Sequence, residues 1–144
     1  MLYVFILILF FYSCDDAAIK TKESIHSYID NEITGDVRIE IFNQDKPSIY
    51  INSDNLNQYN AGNTLLFGGV YADLYNNQGM KASEMYSDSA IIFNNSDSVK
   101  AIGNVEINDL ANNITLNTEE AIYKKNENII ISNVMSTFFD KFGN

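Results

Sequence analysis

The stretch SDSAIIFNNSDSVKAIGNVEIND, residues 87–109, contains the pattern that decides the fold. Its last part alternates apolar Val105 and Ile107 with polar Glu106 and Asn108, and a period of two is typical of a β-strand with one buried face. Its centre, residues 94–98, consists of Asn, Ser and Asp, which favour tight turns. The stretch therefore predicts a strand, a turn and a longer strand.

The same order of residues occurs three times along the chain, every 31 to 34 residues. Each unit begins with a hydroxyl and an acid, which are Ser53-Asp54, Ser87-Asp88 and Thr118-Glu119. Each ends with a Gly or Asn just before a valine, which is Val70, Val105 or Val134. Because one such unit cannot bury an apolar face alone, neighbouring units must stack.

Alternation of apolar and polar residues recurs along the chain, both inside and outside these units. Segments with a period of two are DVRIEIF (36–42), PSIYINS (47–53), GGVYADLY (68–75), GNVEIND (103–109) and NITLNTE (113–119). Each is bounded by Asn, Asp, Gly or Ser, and Pro47 lies at a strand start, where no ladder donor is needed. These features predict one all-β domain of antiparallel strands.

The chain opens with an apolar run, Leu2–Tyr12. As a helix this run would rise about 16 Å, roughly half the hydrocarbon core of a bilayer, so it does not span. Small Ser13 before Cys14 resembles a lipobox, where a signal peptidase cuts and the cysteine is acylated. The alternative is a buried strand that ends in cysteine.

The lipobox reading divides the chain into a lipoprotein signal peptide at 1–13, an acylated tether at 14–34 and the β-domain at 35–144. Acyl chains on Cys14 would hold the protein on a membrane without a spanning helix. Asp15 resembles the signal that retains enterobacterial lipoproteins at the inner membrane. We therefore expect the protein to be anchored at the periplasmic side of the inner membrane. With one cysteine, a disulfide framework is excluded.

Charge and composition exclude several function classes. The net charge is −10, from 19 acidic and 9 basic side chains, and no basic cluster suits a phosphate backbone, so we expect no nucleic-acid binding. His26 is the only histidine, and no catalytic-triad, CxxC or HExxH spacing occurs. No calcium-loop motif is present either. We therefore predict a protein that is not an enzyme and that has no cofactor or metal.

Residues 68–109, followed by LNTEEAIYKKNENIIISNV at 116–134, resemble the LptC family of lipopolysaccharide-export proteins. The likeness covers about residues 63–139, and its most specific pieces are Gly103-Asn104-Val105 and Ser87–Ala90. It implies a single twisted antiparallel β-jelly-roll, V-shaped with an open groove. It also implies a non-enzymatic bridge component that accepts lipopolysaccharide from an inner-membrane ABC transporter and passes it to the periplasmic bridge protein.

The apolar faces of the strands provide the candidate groove. We expect them to share one side of the sheet, where they either close into a core or leave a groove that shields acyl chains from water. The candidate groove residues are Ile39, Ile41, Ile51, Val70, Ala72, Leu74, Ile92, Val105, Ile107, Leu116 and Val134.

The two ends of the sheet provide candidate docking edges. Asn133–Phe139 favours β-structure with little charge, so it is either an internal strand or an edge that pairs with the periplasmic bridge protein by strand addition. The resemblance implies that Asp36–Phe42 meets the β-domain of the transporter. The candidate edge residues are Val37, Ile39, Val134, Ser136 and Phe138.

Two other functions fit the same pattern. One is a structural surface lipoprotein with a closed β-fold and no ligand. The other is a membrane-anchored homologue of the soluble bridge protein, similar to LptA and OstA. A soluble-bridge homologue should self-associate head to tail, whereas an LptC-like protein should end such a chain.

Overall fold

The structure, a computed structural model, describes residues 29–60 and 62–140. The expected signal peptide, Cys14 and His26 lie outside the described residues. In the described part of the chain, no helix has the length and hydropathy needed to span a membrane.

Eight strands form one antiparallel sheet in chain order, which confirms the all-β expectation. They are β1 (Ile29–Asn43), β2 (Lys46–Tyr59), β3 (Asn63–Tyr75), β4 (Lys81–Phe93), β5 (Ser98–Asp109), β6 (Ile114–Lys124), β7 (Ile129–Ile131) and β8 (Ser136–Asp140). Both β7 and β8 pair with β6, so they are two pieces of one interrupted edge strand.

Strand β1 begins inside the segment that the sequence analysis assigned to the tether. Ile33 pairs with Leu56 of β2, although the expected domain begins at residue 35. Pairing continues across Gly35 and Asp36 because both adopt positive φ, +89° and +42°, in a bulge. The polar residues at 30–34 do not alternate with apolar ones as in the other strands, yet the backbone of residues 31–34 pairs with β2.

Register shifts recur at one level across the sheet, from β1 to β6. At four of these five shifts, two residues of an odd-numbered strand lie opposite a single acidic residue of an even-numbered strand; between β4 and β5, Ser87-Asp88 lie opposite residues 103–105. We call this row the bulge line; it consists of Gly35-Asp36, Asp54, Gly68-Gly69, Asp88, Gly103-Asn104 and Glu119. The repeat seen in the sequence is therefore a repeat of bulges.

The hydroxyl of each hydroxyl-acid pair has a structural role at the bulge line. Ser53, Ser87 and Thr118 donate hydrogen bonds to the carbonyl oxygen two residues onward, at 3.1, 3.0 and 3.3 Å. A bulge disrupts the ladder locally, and these hydroxyls provide the carbonyls beside it with a side-chain donor. Ser132 does the same to Val134 at 3.2 Å, where β7 and β8 are interrupted.

The bulge line divides the sheet into two half-sheets. The upper half-sheet contains the cross-strand row Ile33, Leu56, Leu66, Ala90, Ala101 and Ala121, and the lower half-sheet contains the row Ile39, Ile51, Ala72, Met85, Ile107 and Leu116. Members of both rows belong to one buried cluster. The sheet therefore folds over at the bulge line, and the two half-sheets face each other in a V.

Candidate functional site

A cavity of about 720 Å³ lies between the half-sheets beside β1. Pockets of 300 to 1,000 Å³ enclose small ligands in other proteins. Both half-sheets contribute to the wall, and its apolar residues are Ile33, Ile39, Ile41, Ile49, Leu56, Ile92, Phe93 and Val99. An apolar wall of this size suits a hydrocarbon ligand.

The interior is closed on the side of β6. Ala90, Ala101 and Ala121 are at most 1% exposed, and such small side chains let the facing half-sheet approach closely. Ser48 donates to Tyr123 Oη at 3.1 Å, and Tyr123 donates in turn to Asn128 Oδ1 at 3.1 Å. The Ser48–Tyr123 hydrogen bond joins the lower and upper half-sheets, so the V is closed on the side of β6.

The interior is open on the side of β1. Ile33 lines the cavity, yet its side chain remains 50% exposed, which places it at the mouth. Ile39 and Ile41 are half-buried along the same strand. Strand β1 pairs only with β2, so its other side is free among the described residues. The mouth therefore coincides with one edge of the sheet.

Exposed or half-buried polar residues line the cavity at β1 and β2, at the β4–β5 turn and just after β6. We call this set the rim; it consists of Asn31, Glu32, Gln58, Asn94, Asp97, Ser98 and Lys125. Asn31 Nδ2 donates to Gln58 Oε1 at 3.0 Å. Lys125 Nζ lies 3.2 Å from Asp97 Oδ1. The Asn126 amide and then Lys125 hold the pKa of Asp97 below its ordinary value, because both favour the ionised carboxylate. Asp97 and Lys125 are thus an ion pair at neutral pH.

Three of the candidate groove residues line the cavity, namely Ile39, Ile41 and Ile92. Another six lie in the closed part of the interior, and these are Ile51, Val70, Ala72, Leu74, Val105 and Ile107. Leu116 packs against that cluster. Val134 lies in the break between β7 and β8, where it is 43% exposed.

Five of the eight apolar wall residues are absent from the candidate groove residues: Ile33, Ile49, Leu56, Phe93 and Val99. The reason is clear for two of them. Ile33 was assigned to the tether. Leu56 follows Asp54, the single β2 residue opposite the bulges of β1 and β3. The alternation of buried residues in β2 shifts by one residue there, so a strict period of two from Ile51 and Ser53 does not reach Leu56. The hydroxyl-acid pair was visible in the sequence and is the signal that marks this shift.

Four of the five candidate edge residues lie on the two outer strands, and the fifth, Val134, lies in the break between β7 and β8. Val37 and Ile39 belong to β1, while Ser136 and Phe138 belong to β8, which pairs only with β6. Val37 is 7% exposed, so at this edge its backbone, not its side chain, faces outward. Phe138 is 63% exposed and neighbouring Met135 is 90% exposed, which leaves apolar surface at the C-terminal edge.

Comparisons with known proteins agree with this architecture. The family model described as lipopolysaccharide-assembly, LptC-related, matches residues 1–144. The crystal structure of LptH from Pseudomonas aeruginosa, the LptA homologous periplasmic component of the conserved lipopolysaccharide transport device, is similar with a TM-score of 0.55 and 15% identity. The match covers 74% of this chain and 79% of that chain, and it shows the open β-jelly-roll fold. Among curated proteins, none matches this chain in sequence.

Proposed function

Because the chain belongs to the LptC-related family of lipopolysaccharide-assembly proteins, we propose that it is a non-enzymatic bridge component whose cavity holds acyl chains of lipopolysaccharide during export. The observation that carries this proposal is the apolar cavity between the half-sheets, which opens along β1. Neither a cofactor nor a reactive side chain is needed for that task.

Burial of hydrocarbon supplies the binding free energy. Each methylene that leaves water for an apolar wall contributes about 0.8 kcal/mol, so a few methylenes hold a chain firmly. The mouth lies along a sheet edge, which lets a chain enter sideways without unfolding of the closed side. Because such contacts are non-directional, an acyl chain is able to move along the wall in small steps.

The same proposal assigns each edge a partner. We propose anchoring at the periplasmic side of the inner membrane through Cys14, and acceptance of lipopolysaccharide from the ABC transporter, whose β-domain would pair with β1. Strand β8 would pair with the periplasmic bridge protein by strand addition. Two observations support these assignments: in the part of the chain that the structure describes, β1 pairs with β2 alone and β8 with β6 alone, and Phe138 is exposed.

Photo-crosslinking in living cells tests both parts of the proposal. A photoreactive residue at Ile33, in the mouth, should form an adduct with lipopolysaccharide. One at Thr137 of β8, which is exposed, should form an adduct with a protein. Met80 is the control, since it is 59% exposed and does not line the cavity. Equal lipid capture at Ile33 and Met80 would contradict the lipid site, and absence of protein capture at Thr137 would contradict the docking edge.

A further inference from the structure

The rim of the cavity is poor in available positive charge. Among the described residues its one cation is Lys125, which is bound to Asp97 at 3.2 Å and is the more buried partner, with its side chain 20% exposed. Glu32 adds a second carboxylate, which has no basic partner among the described residues. The rest of the rim consists of neutral amides and Ser98. One cation therefore stands against two carboxylates.

Other cations do not compensate for this rim. In residues 29–60 and 62–140, Arg38, Lys81, Lys100 and Lys124 each form an ion pair, at 2.6 to 3.2 Å, and none of them lines the cavity. Lys46 is the described cation without an ion pair, and it donates to the carbonyl of Asn77 at 3.0 Å. It lines a smaller, neighbouring pocket that shares Tyr123 and Lys125 with the cavity.

Strong recognition of phosphate requires cations or several aligned N–H donors. At this rim a phosphate would have to displace Asp97 from Lys125. The charged residues of the rim, Glu32, Asp97 and Lys125, sum to a negative charge, so the rim offers a phosphate no net attraction. Chain burial, in contrast, does not depend on the charge of the headgroup.

We propose that the cavity recognises a lipid by its acyl chains alone, so that phosphorylated and phosphate-free lipids with the same chains bind with the same affinity. This inference rests on the proposed function and adds the class of ligand that the site accepts. Headgroup selection, where the export system needs it, would then come from another component.

Competition against a fluorescent fatty acid bound to the full chain tests the inference. The competitors are bisphosphorylated lipid A and the same lipid A after enzymatic removal of both phosphates, each in EDTA and in Mg²⁺. We expect the two affinities to agree within about threefold, and to change little between roughly 50 and 500 mM NaCl, because buried contacts are screened weakly. A preference of about tenfold or more for the phosphorylated form, in either buffer, would overturn the inference.

The outcomes also separate this inference from the proposed function. If neither the fluorescent fatty acid nor either lipid binds, the proposed function fails and this inference fails with it. A clear phosphate preference with good fatty-acid binding overturns only the inference.

A variant with a positively charged rim should gain a preference for phosphorylated lipid. Glu32→Lys together with Asp97→Asn frees Lys125 and adds a second cation, so phosphorylated lipid A should become preferred by about tenfold. The control pair Glu106→Lys and Asp45→Asn makes the same change in net charge at exposed positions outside the cavity, and it should create no preference. Equal behaviour of the two double variants would contradict the role assigned to the rim.

Discussion

Replacement of Gly68 by alanine should lower the free energy of unfolding by about 3 kcal/mol, as the combined effect of backbone strain and overpacking. Gly68 has a φ of +87°, which L-residues adopt at a cost. A Cβ at this position would lie 2.9 Å from the Cβ of Asp54 and 2.8 Å from Asn55 Nδ2. Since the Cβ of Asp54 is fixed by its own backbone, the bulge line itself must shift. Urea denaturation measures the loss.

Gly69 provides the control for this prediction. Its φ is +94°, but a Cβ there meets no atom within 4 Å. Gly69→Ala therefore keeps the backbone strain without the steric contact, and should cost only about 1 to 2 kcal/mol. If both variants lose the same free energy of unfolding, close packing at the bulge line does not stabilise the bend of the sheet.

Replacement of Ile41 by aspartate should weaken acyl-chain binding by about thirtyfold or more, which corresponds to roughly 2 kcal/mol. Ile41 is half-buried and lines the cavity, so the new carboxylate would lie on the wall that the chain must cover. In the free protein the charge remains hydrated through the open mouth, and the fold tolerates it. A bound chain would remove that water and impose the cost of desolvation. Displacement of a fluorescent fatty acid measures the change.

Phe42 offers a matched control on the adjacent position of the same strand. It is 52% exposed and does not line the cavity, so Phe42→Asp introduces the same charge outside it. That variant should bind acyl chains as the unaltered protein does. Ile41→Trp, which fills the cavity without a charge, should also weaken binding, and it separates loss of the ligand site from any loss of folding. Normal affinity in both Ile41 variants would contradict the site.

Much of the fold was readable from local patterns. Alternation in segments such as 36–42 and 103–109 predicted strands because a half-buried sheet requires a period of two, and the structure confirms the antiparallel sheet. The repeated hydroxyl-acid pairs were also visible. Their meaning was not, since a bulge is a relation between two strands: Asp88 matters because Gly103 lies opposite it, where a Cβ would come within 2.5 Å of the carboxylate.

The candidate site was less predictable, because the open part of the interior depends on contacts far apart in the chain. Alternation predicts which side of a strand is apolar, but not whether the facing half-sheet covers it. Leu74 and Val105 are covered by the facing half-sheet. The two half-sheets approach each other at Ala90, Ala101 and Ala121 and are joined by the Ser48–Tyr123 hydrogen bond. Ile39 and Ile41 lie beyond that closure and remain accessible to a ligand.

The most direct test of the acyl-chain site uses paramagnetic relaxation in an NMR spectrum of the protein. Lipid A that carries a nitroxide near the end of one acyl chain should broaden the amide signals of Ile33, Ile41 and Ile92, which line the cavity. Signals of Tyr86, whose side chain is 43% exposed and lies outside the cavity, should stay sharp. Broadening confined to exposed surface residues such as Tyr86 and Met80, with the three isoleucines unaffected, would contradict the proposal that the cavity carries the lipid.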